Sequence, residues 1–226
     1  MAFFAPPQPR PVKPRPVVVE LFTSEGCSSC PPADEVLRRL ETQPVPGAEI
    51  LPLAFHVDYW DHLGWRDPFS DGAFTARQAA YARAFGQGAL YTPEMVVDGR
   101  KGFTGSADGA AVAAVREAAA RPSLPIELLG SGQVLTAHCV DPSAGRARFW
   151  LAITEDGLAS EVLRGENGGR RLHPVAVVRR FAPVQLDRPL PLNLPSAWNR
   201  SRLRVVVIAQ DPVSLAILGA ASVPLS

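Results

Sequence analysis

Two cysteines, in the run Cys27-Ser28-Ser29-Cys30, sit between an apolar stretch and a helix-patterned segment, and this junction restricts the chain more than any other feature. The stretch Val17 to Val19 with Leu21 and Phe22 has no polar alternation, as expected of a strand buried on both faces. The polar turn Thr23 to Gly26 ends it. Beyond the pair, Asp34 and Glu35 precede Arg38 and Arg39, the charge order that suits a helix dipole, and Val36, Leu37 and Leu40 recur at helical spacing. A thiol pair at a strand-to-helix turn is the setting in which this spacing closes a small redox-active disulfide ring. Backbone N–H groups at a helix start stabilise a thiolate, the attacking species, which makes Cys27 the nucleophile and Cys30 the resolving cysteine. Pro31 and Pro32 suit a first helical turn but push the preceding residue away from helical angles, so regular helix is expected only from near Cys30. Cys27 then lies in the loop facing the helix end.

Further along, Ile50 to Tyr59 reads as a second strand and Ala73 to Phe85 as a second helix. Glu94 to Val97 is a short strand ended by the Asp98-Gly99 turn signal, and the alanine-rich run Ala107 to Ala120 is a helix that stops before Pro122. Residues 17–122 therefore read as an α/β domain. From Leu124 the pattern becomes short β-like runs: Ile126 to Leu129, Val134 to Val140, Arg148 to Thr154, Val175 to Phe181, Leu203 to Ala209 and Leu215 to Leu218. Their spacing predicts an all-β sandwich of about seven or eight strands over residues 123–226. With 226 residues, 46% of them hydrophobic, the chain can fill two such cores. Residues 1–16 hold six prolines and read as an extended tail.

The strand at residues 17–22, the cysteine pair, and Thr92-Pro93 ahead of the strand Glu94 to Val97 together resemble the thioredoxin fold. That resemblance implies that Pro93 is cis and faces the cysteines, and that Thr92 offers backbone groups to a docked partner chain. More narrowly, Glu20 to Asp34, His56-Val57-Asp58-Tyr59-Trp60-Asp61, Leu63-Gly64-Trp65, and Arg164-Gly165-Glu166-Asn167 with Gly169-Arg170 resemble a bacterial family of exported proteins catalogued as domain of unknown function 1223. The family likeness implies a periplasmic or secreted protein. Met1 to Ala5, however, runs into prolines at once without the apolar stretch of an export signal, and this leaves a cytoplasmic location as the alternative. Thioredoxins carry a buried acid on the strand before the cysteines; Glu20 stands one residue out of that register, and side chains alternate along a strand.

The expected activity is thiol–disulfide exchange with a protein or small-molecule thiol, needing no cofactor. A net charge of +1 with scattered basic residues shows no nucleic-acid footprint, and no apolar stretch has the length of a membrane span. Two other readings stand beside it. One is a copper- or zinc-handling protein using the thiols with His56 or His62; the other is a binding module in which the disulfide is only structural. His56, Asp58 and Trp60 are expected on one strand face. Tyr59, Trp60, Trp65 and Phe69 form an aromatic insertion that fills core or offers a docking surface. Cys139 is expected to be a buried free thiol. Arg164 to Arg171 is expected as a solvated hairpin loop, with contact to an anionic group or to the other domain as the alternative.

Overall fold

The apolar run at residues 17–22 becomes an interior strand because it has no polar side to give to solvent. In the computed structural model, which describes residues 13–131 and 134–225, strand β1 spans Arg15–Thr23 and is buried throughout from Val17 on. Strand β2 (Ala48–His56) lies parallel to it on one side, and β3 (Glu94–Val97) antiparallel on the other. Strand β4 (Lys101–Thr104) pairs with β3 after a turn in which Asp98 and Gly99 take φ of 48° and 62°. That region is open to glycine and tolerated by aspartate.

Alternation along β1 divides the core in two. Val17, Val19 and Leu21 pack against helix α1 (Pro31–Thr42) and helix α3 (Asp108–Ala119), where Ala33, Val36, Leu37 and Leu40 form the inward stripe of α1. Val18 and Phe22 face the opposite side, with Phe55 and with Phe74 and Tyr81 of helix α2 (Gly72–Phe85). The offset of Glu20 from the thioredoxin register has its consequence here. Its fully buried carboxylate lies on the α2 side, 2.6 Å from Arg77 Nε and hydrogen-bonded to the Tyr81 hydroxyl, away from the helix that follows the cysteines.

The second half of the chain supplies β5 (Glu127–Ser131), β6 (Val134–His138), β7 (Arg148–Glu155), β8 (Ser160–Glu161), β9 (Arg171–Leu172), β10 (Val177–Val184), β11 (Pro189–Pro191), β12 (Leu203–Gln210) and β13 (Ile217–Leu225). Strands stand at five of the expected runs, while the sixth, expected at Leu215 to Leu218, overlaps β13 only at its last two residues; together they do not form a separate β-sandwich. Four of them extend the first sheet, giving the order β13-β12-β7-β10-β2-β1-β3-β4, with small sheets β11-β6-β5 and β8-β9 beside it. The join is at Val177, which pairs in parallel with Ala54, and at Ala176, whose carbonyl accepts the Ala54 N–H at 2.9 Å. An open strand edge carries unpaired N–H and C=O groups, and β10 satisfies those of β2. Strand β12 is then covered on both sides: Val206 and Ile208 join the core of Phe22 and Phe55, while Val205, Val207 and Ala209 meet Leu135 and Leu190 of the three-stranded sheet.

The result is a mixed α/β protein around one central mixed sheet. Most of the expected Pro-rich tail lies outside the described residues, and its last two residues, Arg15 and Pro16, belong to β1. No helix among the described residues is long and apolar enough to cross a membrane.

Candidate functional site

The chain leaves β1 at Thr23, turns through Ser24 to Ser29 and enters α1 at Pro31. Cys30 caps the helix, its carbonyl accepting the N–H groups of Ala33 at 2.8 Å and Asp34 at 3.1 Å. Two prolines fit the first helical positions because the N–H they lack would have had no partner there. Cys27 therefore lies in the turn facing the helix end, its N–H donating to Ser24 O at 3.2 Å, and its carbonyl takes the Cys30 N–H at 3.2 Å. The two cysteines form a disulfide with Cα atoms 5.4 Å apart. They are buried, with 0% and 1% of their surfaces exposed.

The Thr92–Pro93 bond is cis, as the thioredoxin resemblance implies. Because Phe22 pairs with Glu94, Pro93 stands at the sheet end from which the cysteine turn departs. Trp60 ties the two together. Its Nε1 donates to Thr92 Oγ1 at 2.8 Å, and its Cβ lies 3.2 Å from where a Cβ on Gly26 would be. Cys27, Cys30, Thr92 and Pro93 are thus gathered at one end of the sheet. The aromatic insertion is spent on holding this end, since Trp65 Nε1 donates to Glu25 Oε2 at 3.0 Å and Phe69 meets the His56 ring edge-on at 5.5 Å.

The segment Arg164 to Arg171 is not a freely solvated loop. It reaches the cysteine turn, so the second half of the chain contacts the first through these residues, as in the alternative reading of them. Asn167, 0% exposed, donates through Nδ2 to Glu25 O at 2.8 Å and Cys27 O at 2.9 Å, and its Oδ1 accepts from Arg170 Nη1 at 2.8 Å. Glu166 Oε2 accepts the Ser28 N–H at 2.9 Å and the Ser28 hydroxyl at 2.7 Å, which holds its carboxyl below the ordinary range. Gly165, at φ 78°, lies close to Gly64, where an added Cβ would be 3.4 Å from Gly165 N.

Beside the disulfide lies a buried polar group. Strand β2 stops at His56, so Asp58 and Trp60 do not share its face as expected; Asp58 Oδ1 instead accepts the Thr75 hydroxyl at 2.6 Å. His56 Nδ1 meets Asp67 Oδ2 at 2.7 Å, and the same oxygen accepts the Glu25 N–H at 2.8 Å. Burial opposes a charge on either member of that pair, yet their mutual attraction raises the pKa of His56 and lowers that of Asp67. Burial pushes Glu25 up, and Asp34 up to about 7. Asp34 lines the same side of α1 as Pro31 and Arg38, where sequence charge order placed it only as a complement to the helix dipole.

Among the described residues, no three His, Cys, Asp or Glu side chains are grouped to hold a metal ion, and His62 is exposed. Cys139 is free and only partly buried, because β6 ends one residue before it at His138. Glu25, Asp34, Asp67, Glu166 and Asn167 were not singled out as site residues from the sequence. Pattern reading has no means of finding them, although Glu25, Asp34, Glu166 and Asn167 do fall inside the quoted family-like stretches.

A family model described as "Protein of unknown function (DUF1223)" matches residues 18–210. No curated protein matches the chain. Among solved structures, protein AGR_C_4864 from Agrobacterium tumefaciens is similar at 26% identity and a TM-score of 0.74, covering 94% of this chain and 95% of its own. HBP35 of Porphyromonas gingivalis shares the fold at 15% identity and a TM-score of 0.61, covering 94% of this chain and 76% of its own.

Proposed function

The chain belongs to the DUF1223 family, and from that premise we propose that it is a thiol–disulfide oxidoreductase acting through Cys27 and Cys30 on a thiol- or disulfide-bearing protein or small molecule. The observation that carries this reading is the closed Cys27–Cys30 pair at a strand-to-helix turn, at the same sheet end as the cis Thr92–Pro93 bond. In the oxidised form, a partner thiolate attacks Cys27 Sγ, the Cys27–Cys30 bond breaks, and Cys30 departs as a thiolate that takes up a proton. A second partner thiolate attacks the partner sulfur of the mixed disulfide and expels Cys27, leaving an oxidised partner and a reduced protein. In reverse, the Cys27 thiolate attacks a partner disulfide and Cys30 resolves the intermediate. Thr92 and Pro93 are the backbone against which a partner chain lies. Both sulfurs are buried, so either direction requires a local opening, and the Glu166–Asn167 segment, held to Ser28 and to the Cys27 carbonyl, is the part taken to move. The same reading takes the protein to be periplasmic or secreted, where disulfides persist.

Equilibration in thiol–disulfide buffers tests it together with an insulin-reduction assay. The expected result is a two-electron potential between about −120 and −270 mV, with catalysis lost in Cys27→Ser. A pair that resists reduction below about −300 mV, with no catalysis, identifies a structural disulfide and ends this reading.

A further inference from the structure

A pocket of about 230 Å³ opens beside the cysteine turn between α1 and the chain around β9. Three of its lining residues have a side-chain atom buried from solvent and unpaired, Asp34 Oδ1, His56 Nε2 and Glu25 Oε1, with Ser160 beside the Glu25 carboxyl. Glu25 and His56 are each only 2% exposed, and burying a polar atom unpaired costs stability. The rim is of opposite character, with Arg38 from α1 and the exposed Arg170 and Arg171. His56 holds Asp67 through Nδ1 and favours its protonated form, so its free Nε2 is an N–H donor, while the free carboxylate oxygens are acceptors. The pocket therefore asks for a ligand that donates to two carboxylates and accepts from an imidazolium. The guanidinium rim is positive and suits an anionic group, although Arg38 also meets Glu35 and the His173 carbonyl, Arg170 meets Asn167 and Arg171 meets Glu161.

We propose that this pocket binds the head group of a small α-amino acid, with its ammonium against Glu25 and Asp34 and its carboxylate toward His56 and the rim arginines. The volume suits a few heavy atoms, below the roughly 300 to 1,000 Å³ of drug-sized sites. The inference goes beyond the exchange activity: it concerns the oxidised protein and stands whether or not the cysteines turn over. Affinity should rise with pH as Asp34 gives up its proton to make room for the ammonium. The groups facing Asp34 are His56 at the end of β2, Asp67 in the turn after it, Glu25 in the cysteine turn and Arg38 on its own helix. Arg170, Arg171 and His173 close the pocket from the β9 side.

Titration calorimetry of the oxidised full chain with glycine, L-alanine and L-serine, against acetate, methylamine and acetamide, tests the proposal. The expected result is saturable binding of at least one amino acid, about tenfold or more tighter than each fragment and tightening between pH 6 and 8. Glu25→Gln and Asp34→Asn should each weaken it about tenfold, and Arg171→Gln, at an exposed position, should weaken it severalfold with the fold intact by circular dichroism. Absence of saturation by about 10 mM amino acid overturns the proposal, as does acetamide or methylamine binding as tightly. Amino-acid binding that is indifferent to the two carboxyl variants and to Arg171→Gln places the ligand elsewhere and overturns it as well.

Discussion

Asn167→Ala should uncover the disulfide more than it unfolds the chain. The Asn167 amide donates to the carbonyls of Glu25 and Cys27 and accepts from Arg170, and these three hydrogen bonds join the covering segment to the turn that holds Cys27. A hydrogen bond contributes about 0.5 to 1.5 kcal/mol net, and the two to the buried carbonyls together about 2 kcal/mol. The Arg170 bond is discounted because Arg170 is exposed to solvent. Because Cys27 and Cys30 are at most 1% exposed, a small reductant reaches them only after a local opening, and the segment bound to the Cys27 carbonyl is the part expected to open. Lowering the opening free energy by about 2 kcal/mol raises the open population about 30-fold. The assay is the rate of disulfide reduction by dithiothreitol under native conditions, compared with urea unfolding of the same variant. Reduction should quicken about 30-fold, by at least as much as global stability falls. A variant that loses stability while its disulfide is reduced at the wild-type rate would refute the idea that this segment controls access.

The pH dependence of the cover follows from Glu166, whose carboxyl is lowered by the Ser28 donors. Its contribution is complete above the ordinary value of 4.5 and is lost as pH falls through the depressed folded value. Reduction by a phosphine, which acts in acid, should therefore accelerate below about pH 4.5 in the wild type but not in Glu166→Gln; equal acceleration in both would show that another group is responsible. Asp34 has the opposite sign. Its carboxyl rises from 3.8 to about 7 on folding, so the folded state keeps a proton the unfolded state releases, and stability falls as pH rises across that window. In urea titrations from pH 4 to 7, Asp34→Asn should remove a slope of at most about 1.4 kcal/mol per pH unit; a slope as steep as the wild type's would refute the assignment. Arg77→Ala leaves the Glu20 carboxylate buried and without its cation, at a cost of about 3 to 5 kcal/mol in urea unfolding, whereas removing both charges should cost less; a single-variant loss under about 1 kcal/mol would contradict the pairing.

Local chemistry was readable in the sequence where a residue's neighbours along the chain decide it. The unalternated run at 17–22 specified a strand buried on both sides, Pro31 and Pro32 specified where α1 begins, and Asp98-Gly99 specified a tight turn. The runs at 148–154 and 203–209 were likewise visible as strands, whereas the last strand, at 217–225, was seen only at its start. What they pair with was not, because any strand edge offers the same N–H and C=O groups. Only the folded chain shows that β10 reaches Ala54 of β2, so the expected sandwich strands lengthen one sheet. The candidate site divides in the same way. Cys27, Cys30, Thr92 and Pro93 could be named because their chemistry is carried by short local patterns. Asn167 and Glu166, more than 130 residues away from the turn they cover, could not, since a hydrogen bond between distant residues leaves no periodicity in either segment. The burial that lifts Asp34 is also a property of what packs around it. Sequence determined the elements and the thiols; tertiary structure decided their edges, their cover and their proton affinities, because those depend on neighbours that only the fold brings together.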